Sequence, residues 1–213
     1  MKFQKGVARK YRRIIKDAFD VIEEIGTEQQ KRVMKAIRDS EMLICVGPVS
    51  EVRASGITGV TDPSRTNARI ADERLSVVDA LSEVFITFAA ETIDGAGARG
   101  TEGTLVHEAQ HAYDFGSVIA SFSNTDVNPL MVFNPTLYEL ELAAHVTSGE
   151  FLIRRNIDDY LEEGLDLGLI EKNGEKFVVS DIGITNRLRN NYGLEADGHQ
   201  GPLASEMGGL KQR

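Results

Sequence analysis

Two of the four histidines in the 213-residue chain lie four positions apart, in the stretch GTLVHEAQHAYDF at residues 103–115. The apolar residues around them predict a helix over residues 102–115. Four residues on a helix advance the chain by about 400° of rotation, so the rings of His107 and His111 leave one face about 6 Å apart. Two imidazoles at that separation can bind one tetrahedral metal ion. Glu108, the next residue round the helix, would lie beside such a metal rather than on it.

The chain is acidic overall, with a formal net charge of -9, but the charge is unevenly spread. Residues 1–16 carry seven basic residues and no acidic ones, which leaves about -16 on the remainder. A body this acidic argues against nucleic-acid binding. Apolar residues recur at helical spacing through the basic segment, so we expect a helix with a solvated basic face. Contact of this face with an anionic partner is the alternative.

The single cysteine, Cys45, excludes an internal disulfide framework and fits a reducing compartment. It lies in the apolar run EMLICVG, where a buried, inert thiol is expected. No apolar run has the length needed to cross a bilayer, and the N-terminus lacks the apolar core of a secretory signal. We therefore expect a cytoplasmic protein without a membrane span, and delivery into another cell is compatible with the same features.

The first half of the chain predicts two helices and two strands before the histidine helix. Apolar periodicity predicts a helix over residues 5–25 and a second helix after the N-cap Thr27. MLICVG predicts a buried strand, and EVFITFAAETI (83–93) predicts another because it is rich in β-branched and aromatic residues. The glycine-rich stretch DGAGARG predicts a connection to a histidine helix that Thr101 caps and Gly116 ends.

The second half of the chain predicts another long helix and a small hairpin. A loop containing SNTDVNP precedes a helix over residues 135–155, with Asn134 as its N-cap and Pro135 in its first turn. GLIEKNGEKFVVS predicts a β-hairpin that turns at its Asn-Gly pair, and DIGITNRLRNNYG predicts a short helix. Residues 193–213 are glycine-rich and weakly apolar, which predicts a flexible tail.

The pentapeptide HEAQH resembles the HExxH motif of zincin metallopeptidases, and a predicted strand precedes its helix as in that fold. The match covers residues 83–155, about a third of the chain. The resemblance implies a zinc ion held by His107, His111 and a third protein ligand, with one position left for water. Zinc lowers the pKa of that water towards ~7 and polarises the scissile carbonyl. The resemblance also implies that Glu108 is the general base, which passes the water's proton to the leaving amine.

The third ligand must come from elsewhere in the chain. The extended metzincin motif, with a glycine and a third histidine shortly after, is absent because HAYDFGSVIAS contains no further histidine. The gluzincin pattern places a glutamate on a later helix, and YELELAAHVTSGEFL offers three. We expect Glu141, which shares a helix face with Ala144 and His145 and resembles the ExxA pattern of such helices. Glu139 is the alternative, and Glu150 is expected to be a surface charge.

Several other polar side chains are candidates for supporting roles. His145, one turn after Glu141, can stabilise a developing oxyanion, act behind a ligand or have no role. Tyr113 and Tyr138 are weaker candidates for the oxyanion. Asp114 can accept the second ring N–H of a ligating histidine and so fix its tautomer, or it is an ordinary solvated aspartate.

Together these elements predict an α+β fold with N-terminal helices, a small mixed sheet, the histidine helix and a glutamate helix. A zincin-like metallopeptidase domain would span residues 1–155, with an accessory hairpin and helix at 156–192 and the tail at 193–213. Zincins bind an extended peptide at a sheet edge beside the active helix. EVFITFAA is the best candidate for this edge, and a plain buried strand is the alternative. The expected function is that of a zinc metalloendopeptidase, which hydrolyses peptide bonds in a peptide or protein substrate.

Other functions compete with a zinc peptidase. Glu108 and His111 form a Glu-x-x-His pair of the kind used in di-iron carboxylate bundles, but Glu141 and His145 are four apart and do not supply the second pair. Peptide deformylases also use an HExxH helix, with a cysteine ligand in a motif that Cys45 lacks. A non-catalytic binding protein is a further alternative, against which the intact Glu108 argues. The hairpin resembles the wing of a winged-helix unit, but the acidic body does not suit DNA.

Overall fold

The computed structural model describes residues 1–124, 126, 128 and 131–212. Within these residues the chain combines helices with a four-stranded mixed sheet and a two-stranded hairpin, which confirms the predicted α+β class. Thr125, Val127 and Pro129 of the predicted SNTDVNP loop lie outside the described residues. The strands are β1 (Lys2–Phe3), β2 (Leu43–Gly47), β3 (Gly56–Val60), β4 (Val84–Ala89), β5 (Ile170–Asn173) and β6 (Lys176–Val179). The helices are α1 (Arg9–Ile25), α2 (Glu28–Asp39), α3 (Val49–Val52), α4 (Pro63–Asp72), α5 (Val77–Ala80), α6 (Ala90–Phe122), α7 (Leu137–Arg155), α8 (Asp158–Asp166), α9 (Asp181–Tyr192) and α10 (Ala204–Met207).

The larger sheet has the strand order β1-β2-β4-β3, in which β3 runs antiparallel to β4 and the other two pairings are parallel. Val84, Ile86 and Phe88 of β4 are fully buried, and this period of two is that of a strand facing the core. The prediction that EVFITFAA forms the sheet edge is wrong, because β4 lies between β2 and β3. The edge strand that contacts α6 is β3.

The N-terminal helices pack their apolar faces into the core. α1 begins at Arg9 rather than at residue 5, because Lys2 and Phe3 pair with β2 as a short parallel strand. α2 begins after the predicted N-cap Thr27, whose side chain accepts from the backbone N–H of Gln30. Gln30 in turn accepts from the backbone N–H of Thr27, so that two N–H groups at the helix start are satisfied reciprocally.

The helix that carries both histidines is longer than the sequence predicts. α6 has 33 residues and includes the DGAGARG stretch that was expected to be a connection. The chain bends at Gly97, whose φ of 58° is one that glycine adopts without strain. Thr101 lies inside the helix and donates to the carbonyl of Gly97, so it is not the N-cap. Gly116 does not end the helix either, because it packs closely against Leu81 and buried residues continue beyond it.

α7 starts two residues later than predicted and has a different cap. Thr136 is the N-cap, and it forms a capping box with Glu139. The predicted N-cap, Asn134, instead exchanges two hydrogen bonds with Ser205 near the end of the chain. The cap preference of asparagine was therefore overridden by a contact with a segment that is distant in sequence.

Residues 193–212 are packed, whereas the sequence predicts a flexible tail. Leu194, Ala204 and Leu210 are buried. Backbone hydrogen bonds join residues near 200 to the first turn of α7, and Asn67 of α4 bonds to the backbone on both sides of Leu210. A segment with few apolar residues is thus held largely by hydrogen bonds that a sequence pattern does not reveal.

The hairpin and α9 follow in the predicted order, whereas α8, which precedes them, was not predicted. All three contact α7. The hairpin turns through Gly174, which has a φ of 63°. Gly149 of α7 allows the chain before the hairpin to approach, because an added Cβ would lie 2.8 Å from the carbonyl oxygen of Leu169. Among the described residues, none of the helices combines the length and the apolar character that a membrane span requires.

Candidate metal centre

The long helices α6 and α7 bring three potential metal ligands together. His107 and His111 extend from one face of α6, and their Nε2 atoms are 3.1 Å apart. Glu141 reaches them from α7, with Oε2 3.6 Å from His107 Nε2 and Oε1 3.5 Å from His111 Nε2. One donor atom from each residue lies within 4.8 Å of the other two. The packing of the two helices therefore forms a compact group of two imidazoles and one carboxylate.

This donor set fits a divalent metal ion. Imidazole nitrogens and a carboxylate oxygen are ligands that zinc and other first-row metals accept. Oε2 of Glu141 and Nε2 of His145 are buried without a hydrogen-bond partner among the described residues. Such atoms are uncommon in folded proteins unless an ion or water satisfies them. The cluster can thus hold a metal, and its chemistry does not by itself select which one.

Burial and charge shift the pKa values of the ligand side chains. Burial alone raises the pKa of the Glu141 carboxyl, but its interactions with the neighbouring His107 and His111 outweigh this effect and hold the pKa well below its usual range. Burial also disfavours the charged form of His111, but Glu141 outweighs that effect and raises the pKa of the imidazole. Glu141 is therefore ionised, which is the form that binds a metal.

His145 lies one turn after Glu141 on α7. Its Nε2 is 3.8 Å from Oε2 of Glu141, and its ring centre is 4.9 Å from that of His107. Burial, followed by the nearby charge of His107, lowers the pKa of His145 to about 3. The imidazole is therefore neutral at pH 7 and lies next to the three-residue group without being part of it.

Glu108 lines the same cavity and is held by the edge strand. Thr58 of β3 donates a 2.7 Å hydrogen bond to Oε2 of Glu108, and its hydroxyl lies 3.1 Å from the backbone carbonyl of the same residue. β3 approaches this closely because Gly56 has no side chain. An added Cβ there would lie 2.8 Å from Cγ of Glu108 and 2.6 Å from Cγ2 of Thr104. The absence of a side chain at Gly56 thus lets β3 come close enough for Thr58 to hold the Glu108 carboxylate beside the cluster.

The alternative third ligand, Glu139, has a structural role instead. Its Oε2 accepts from the backbone N–H and the hydroxyl of Thr136, so the side chain caps α7. Its carboxylate is engaged at the start of α7, and within the described residues the group around His107 and His111 includes Glu141 and not Glu139. Glu150 belongs to no ligand group within the described part of the chain.

The other polar candidates lie away from the ligand atoms. Asp114 accepts from the side-chain amide of Gln110, and no histidine of the described residues donates a hydrogen bond to it. Burial raises the pKa of Asp114 to about 6. Tyr113 and Tyr138 are not among the residues that line the cavity. The tyrosine that does line it is Tyr192, on α9.

The cluster opens on a cavity of about 610 Å³. Residues 54–58, in and just before β3, form one wall, and side chains of α6, α7 and α9 form others. A mostly apolar cavity with a few convergent polar groups is the usual form of a ligand site. Its leucine side chains are Leu137, Leu140, Leu152, Leu167 and Leu169.

The chemistry of this site has to be inferred from the chain itself. Comparison with protein-family models, curated proteins and solved structures gave no significant match. What the cluster can do therefore follows from its donor atoms, their burial, and the shape and charge of the cavity beside them.

Sequence reasoning missed Thr58, Arg187 and Tyr192, which all line the cavity. The ring centre of Tyr192 is 6.1 Å from that of His145. Burial, and then the charge of Glu141, raise the pKa of Tyr192 to about 12, so the phenol keeps its proton. The positive charge of Arg187 acts on the pKa values of both His145 and Tyr192, although it is not the largest influence on either. No motif links α9 to the histidine helix, and only tertiary packing brings the two together.

Proposed function

We propose that this chain is a zinc-dependent hydrolase that cleaves peptide bonds, with His107, His111 and Glu141 as zinc ligands and Glu108 as general base. One observation carries the proposal. A compact group of two imidazoles and a carboxylate, donated by two helices, opens on the same cavity as a second, buried carboxylate. A structural metal site would need only the first of these features.

The residues present suit zinc because two neutral nitrogens and one carboxylate oxygen are common catalytic zinc ligands. When bound, zinc lowers the pKa of water and polarises the carbonyl of the substrate. The chain contributes the positions of the ligands, which two packed helices hold. Because the pKa of Glu141 is low, this carboxylate ligand is already ionised at neutral pH.

Glu108 would move the proton in this reaction. The hydroxyl of Thr58 holds Oε2 of the carboxylate, so Oε1 is the atom proposed to take a proton from a water in the cavity. The same carboxyl would then deliver the proton to the nitrogen of the leaving amine. Water thereby adds across the peptide bond, and the base returns to its ionised form.

Two further side chains are placed to stabilise negative charge on the carbonyl oxygen. His145 has an unpartnered buried Nε2, and Tyr192 keeps a phenolic proton at the cavity wall. A donor aimed at the developing oxyanion is commonly worth about 100-fold or more in rate. We propose that Tyr192 shares this role with His145, because both side chains line the cavity beside the ligands.

The edge strand β3 offers a way to hold an extended peptide. Its other neighbour position in the sheet is unpaired among the described strands, and Ile57 on it is 46% exposed. A strand in this situation can add a peptide by backbone hydrogen bonds. The peptide-binding edge that the sequence led us to expect at β4 is therefore proposed at β3.

The first test is the metal content of the purified protein together with cleavage of a peptide library. We expect one equivalent of zinc in the wild type and its loss in His111→Ala and Glu141→Gln. Glu108→Gln should keep the zinc and lose cleavage by at least about 100-fold. Glu150→Gln is the matched control on α7, and it should keep both zinc and activity.

Two outcomes would contradict the proposal in different ways. Absence of zinc from the wild type after incubation with the ion would remove the metal centre altogether. The second outcome is a wild type that binds zinc and cleaves no peptide, with Glu108→Gln having no measurable effect. That result would support a non-catalytic metal-binding protein.

A further inference from the structure

Arg187 of α9 is a cation in the cavity wall that has no partner among the residues that the structure describes. Its side chain lines the cavity together with Glu108, His145 and Tyr192. The Nε atom is buried and has no hydrogen-bond partner among the described residues. Within the part of the chain that the structure describes, no carboxylate forms an ion pair with this guanidinium. A buried N–H of a charged group without a partner points to a ligand that completes it.

The other half-buried arginines of the described chain all have partners. Arg38, Arg69, Arg99 and Arg155 each pair with at least one carboxylate, and Arg12 donates to a backbone carbonyl. The position of Arg187 is thus unusual in this protein, even though acidic residues outnumber basic ones by 33 to 24. Despite this excess of acidic residues, no carboxylate of the described residues pairs with Arg187.

The acidic groups of the cavity are already engaged. Thr58 binds Glu108, the two histidines of α6 surround Glu141, and Glu163 pairs with Arg99 at 2.8 Å. Each carboxylate in the wall therefore already has a neighbouring residue as its partner. The positive charge of Arg187 remains available to a molecule that enters the cavity.

We propose that Arg187 binds a carboxylate of the substrate and makes the proposed hydrolase selective for peptides that carry one near the bond to be cut. The planar guanidinium matches a carboxylate through two parallel N–H···O bonds. The carboxylate can belong to an Asp or Glu side chain or to a free C-terminus, since both present the same group. The assignment deepens the proposed function and rests on it for cleavage, whereas binding of the carboxylate does not require turnover.

The test compares three peptides that differ only in their carboxylates. The first is acetyl-Ala-Ala-Glu-Ala-amide, the second replaces Glu with Gln, and the third is the Gln peptide with a free C-terminus. Binding to the full, zinc-loaded chain is measured by calorimetry in a Glu108→Gln background, which prevents turnover. We expect at least one carboxylate peptide to bind about 10- to 100-fold more tightly than the neutral Gln peptide.

Three variants assign that preference to Arg187. Arg187→Gln should abolish the preference, and Arg187→Lys, which keeps the charge but not the fork, should retain part of it. Arg189→Gln is the matched control, because Arg189 is two residues further along α9 and pairs with Glu195 at the surface. It should bind all three peptides as the wild type does. Far-UV circular dichroism confirms the fold of each variant, and Arg187→Lys keeps the test decisive if the Gln variant unfolds.

Several results would overturn the assignment. Equal affinity for the three peptides, or no binding of either carboxylate peptide at millimolar concentration, would show that Arg187 does not recognise this group. A preference that survives in Arg187→Gln but disappears when zinc is removed would show that the carboxylate binds the metal instead.

The same data separate this inference from the proposed function. If the wild type cleaves no peptide but the Arg187-dependent preference is present, the hydrolase fails and the carboxylate site stands. If the wild type cleaves acidic and neutral peptides equally and binds them equally, the hydrolase stands and the carboxylate site fails.

Discussion

The hydroxyl of Thr58 and Oε2 of Glu108 are 2.7 Å apart, so one hydrogen bond joins the edge strand to the helix that carries the histidines. The same contact brings β3 alongside the cavity. At Gly56 the strand lies so close to α6 that there is no room for a side chain. The proposed base and the proposed peptide-binding edge are therefore mechanically connected. A substitution in β3 should therefore lower the rate of peptide cleavage more than it lowers zinc binding.

Thr58→Val removes this hydrogen bond and keeps the shape of the side chain. We expect kcat/KM for a cleaved peptide to fall about 10-fold, because a bond to a charged group is lost and the carboxylate is less well oriented. Zinc content should not change. Thr58→Ser restores the donor and is the control. Unchanged kcat/KM in the Val variant would show that the bond has no role in catalysis.

Gly56→Ala tests the close approach of β3 to α6. The added Cβ would lie 2.6 Å from Thr104 Cγ2 and 2.8 Å from Glu108 Cγ, so the strand or the two side chains must move. We expect a loss of about 1–3 kcal/mol in the free energy of unfolding and lower activity. Gly95→Ala, in α6 with nothing within 4 Å of the added atom, is the control and should stabilise the fold by about 0.5–1 kcal/mol. Denaturant unfolding of both variants measures the difference, and equal stability would contradict the prediction.

Asp114 should make the stability of the protein depend on pH. Burial raises its pKa from 3.8 to about 6 in the folded chain, so the folded state holds this proton more tightly than the unfolded state. The resulting stabilisation is present below pH 3.8 and is lost as the pH rises through about 6. Asp114→Asn should therefore be more stable than wild type at pH 8 by about 1–3 kcal/mol. The gain should disappear near pH 4, and a difference that does not vary with pH would argue against this origin.

Glu102 links three helices, α6, α7 and α8. It is 2% exposed, and its Oε2 accepts from Arg155 of α7 at 3.1 Å and from Tyr160 of α8 at 2.9 Å. Glu102→Gln should lower the free energy of unfolding by about 1–3 kcal/mol, since Arg155 loses its buried counter-charge but remains partly solvated. Tyr160→Phe should lower the free energy of unfolding by about 1 kcal/mol. Thermal unfolding of the double variant should show a loss smaller than the sum, because the residues share one network, and strict additivity would contradict the coupling.

Much of the fold could be predicted where the signals are local. The Thr27 cap, the strand at MLICVG and the hairpin were each predicted by neighbouring residues that act on one another directly. The predictions failed where distant segments compete. The DGAGARG stretch is helical on either side of the bend at Gly97, and its Asp94 accepts hydrogen bonds from Lys10 and Tyr11 of α1. Asn134 bonds to Ser205 instead of capping α7, and residues 193–212 are held by hydrogen bonds to α7 and α4.

The sequence by itself determined that His107 and His111 share one helix face with Glu108 beside them, because helical geometry depends only on residues a turn apart. The tertiary structure alone decided which glutamate meets the imidazoles, which strand forms the edge and that an unpaired Arg187 lines the cavity. These outcomes depend on how α7, β3 and α9 pack against α6. Packing distances between segments far apart in the chain are set by the whole core and not by the spacing of residues within any one segment.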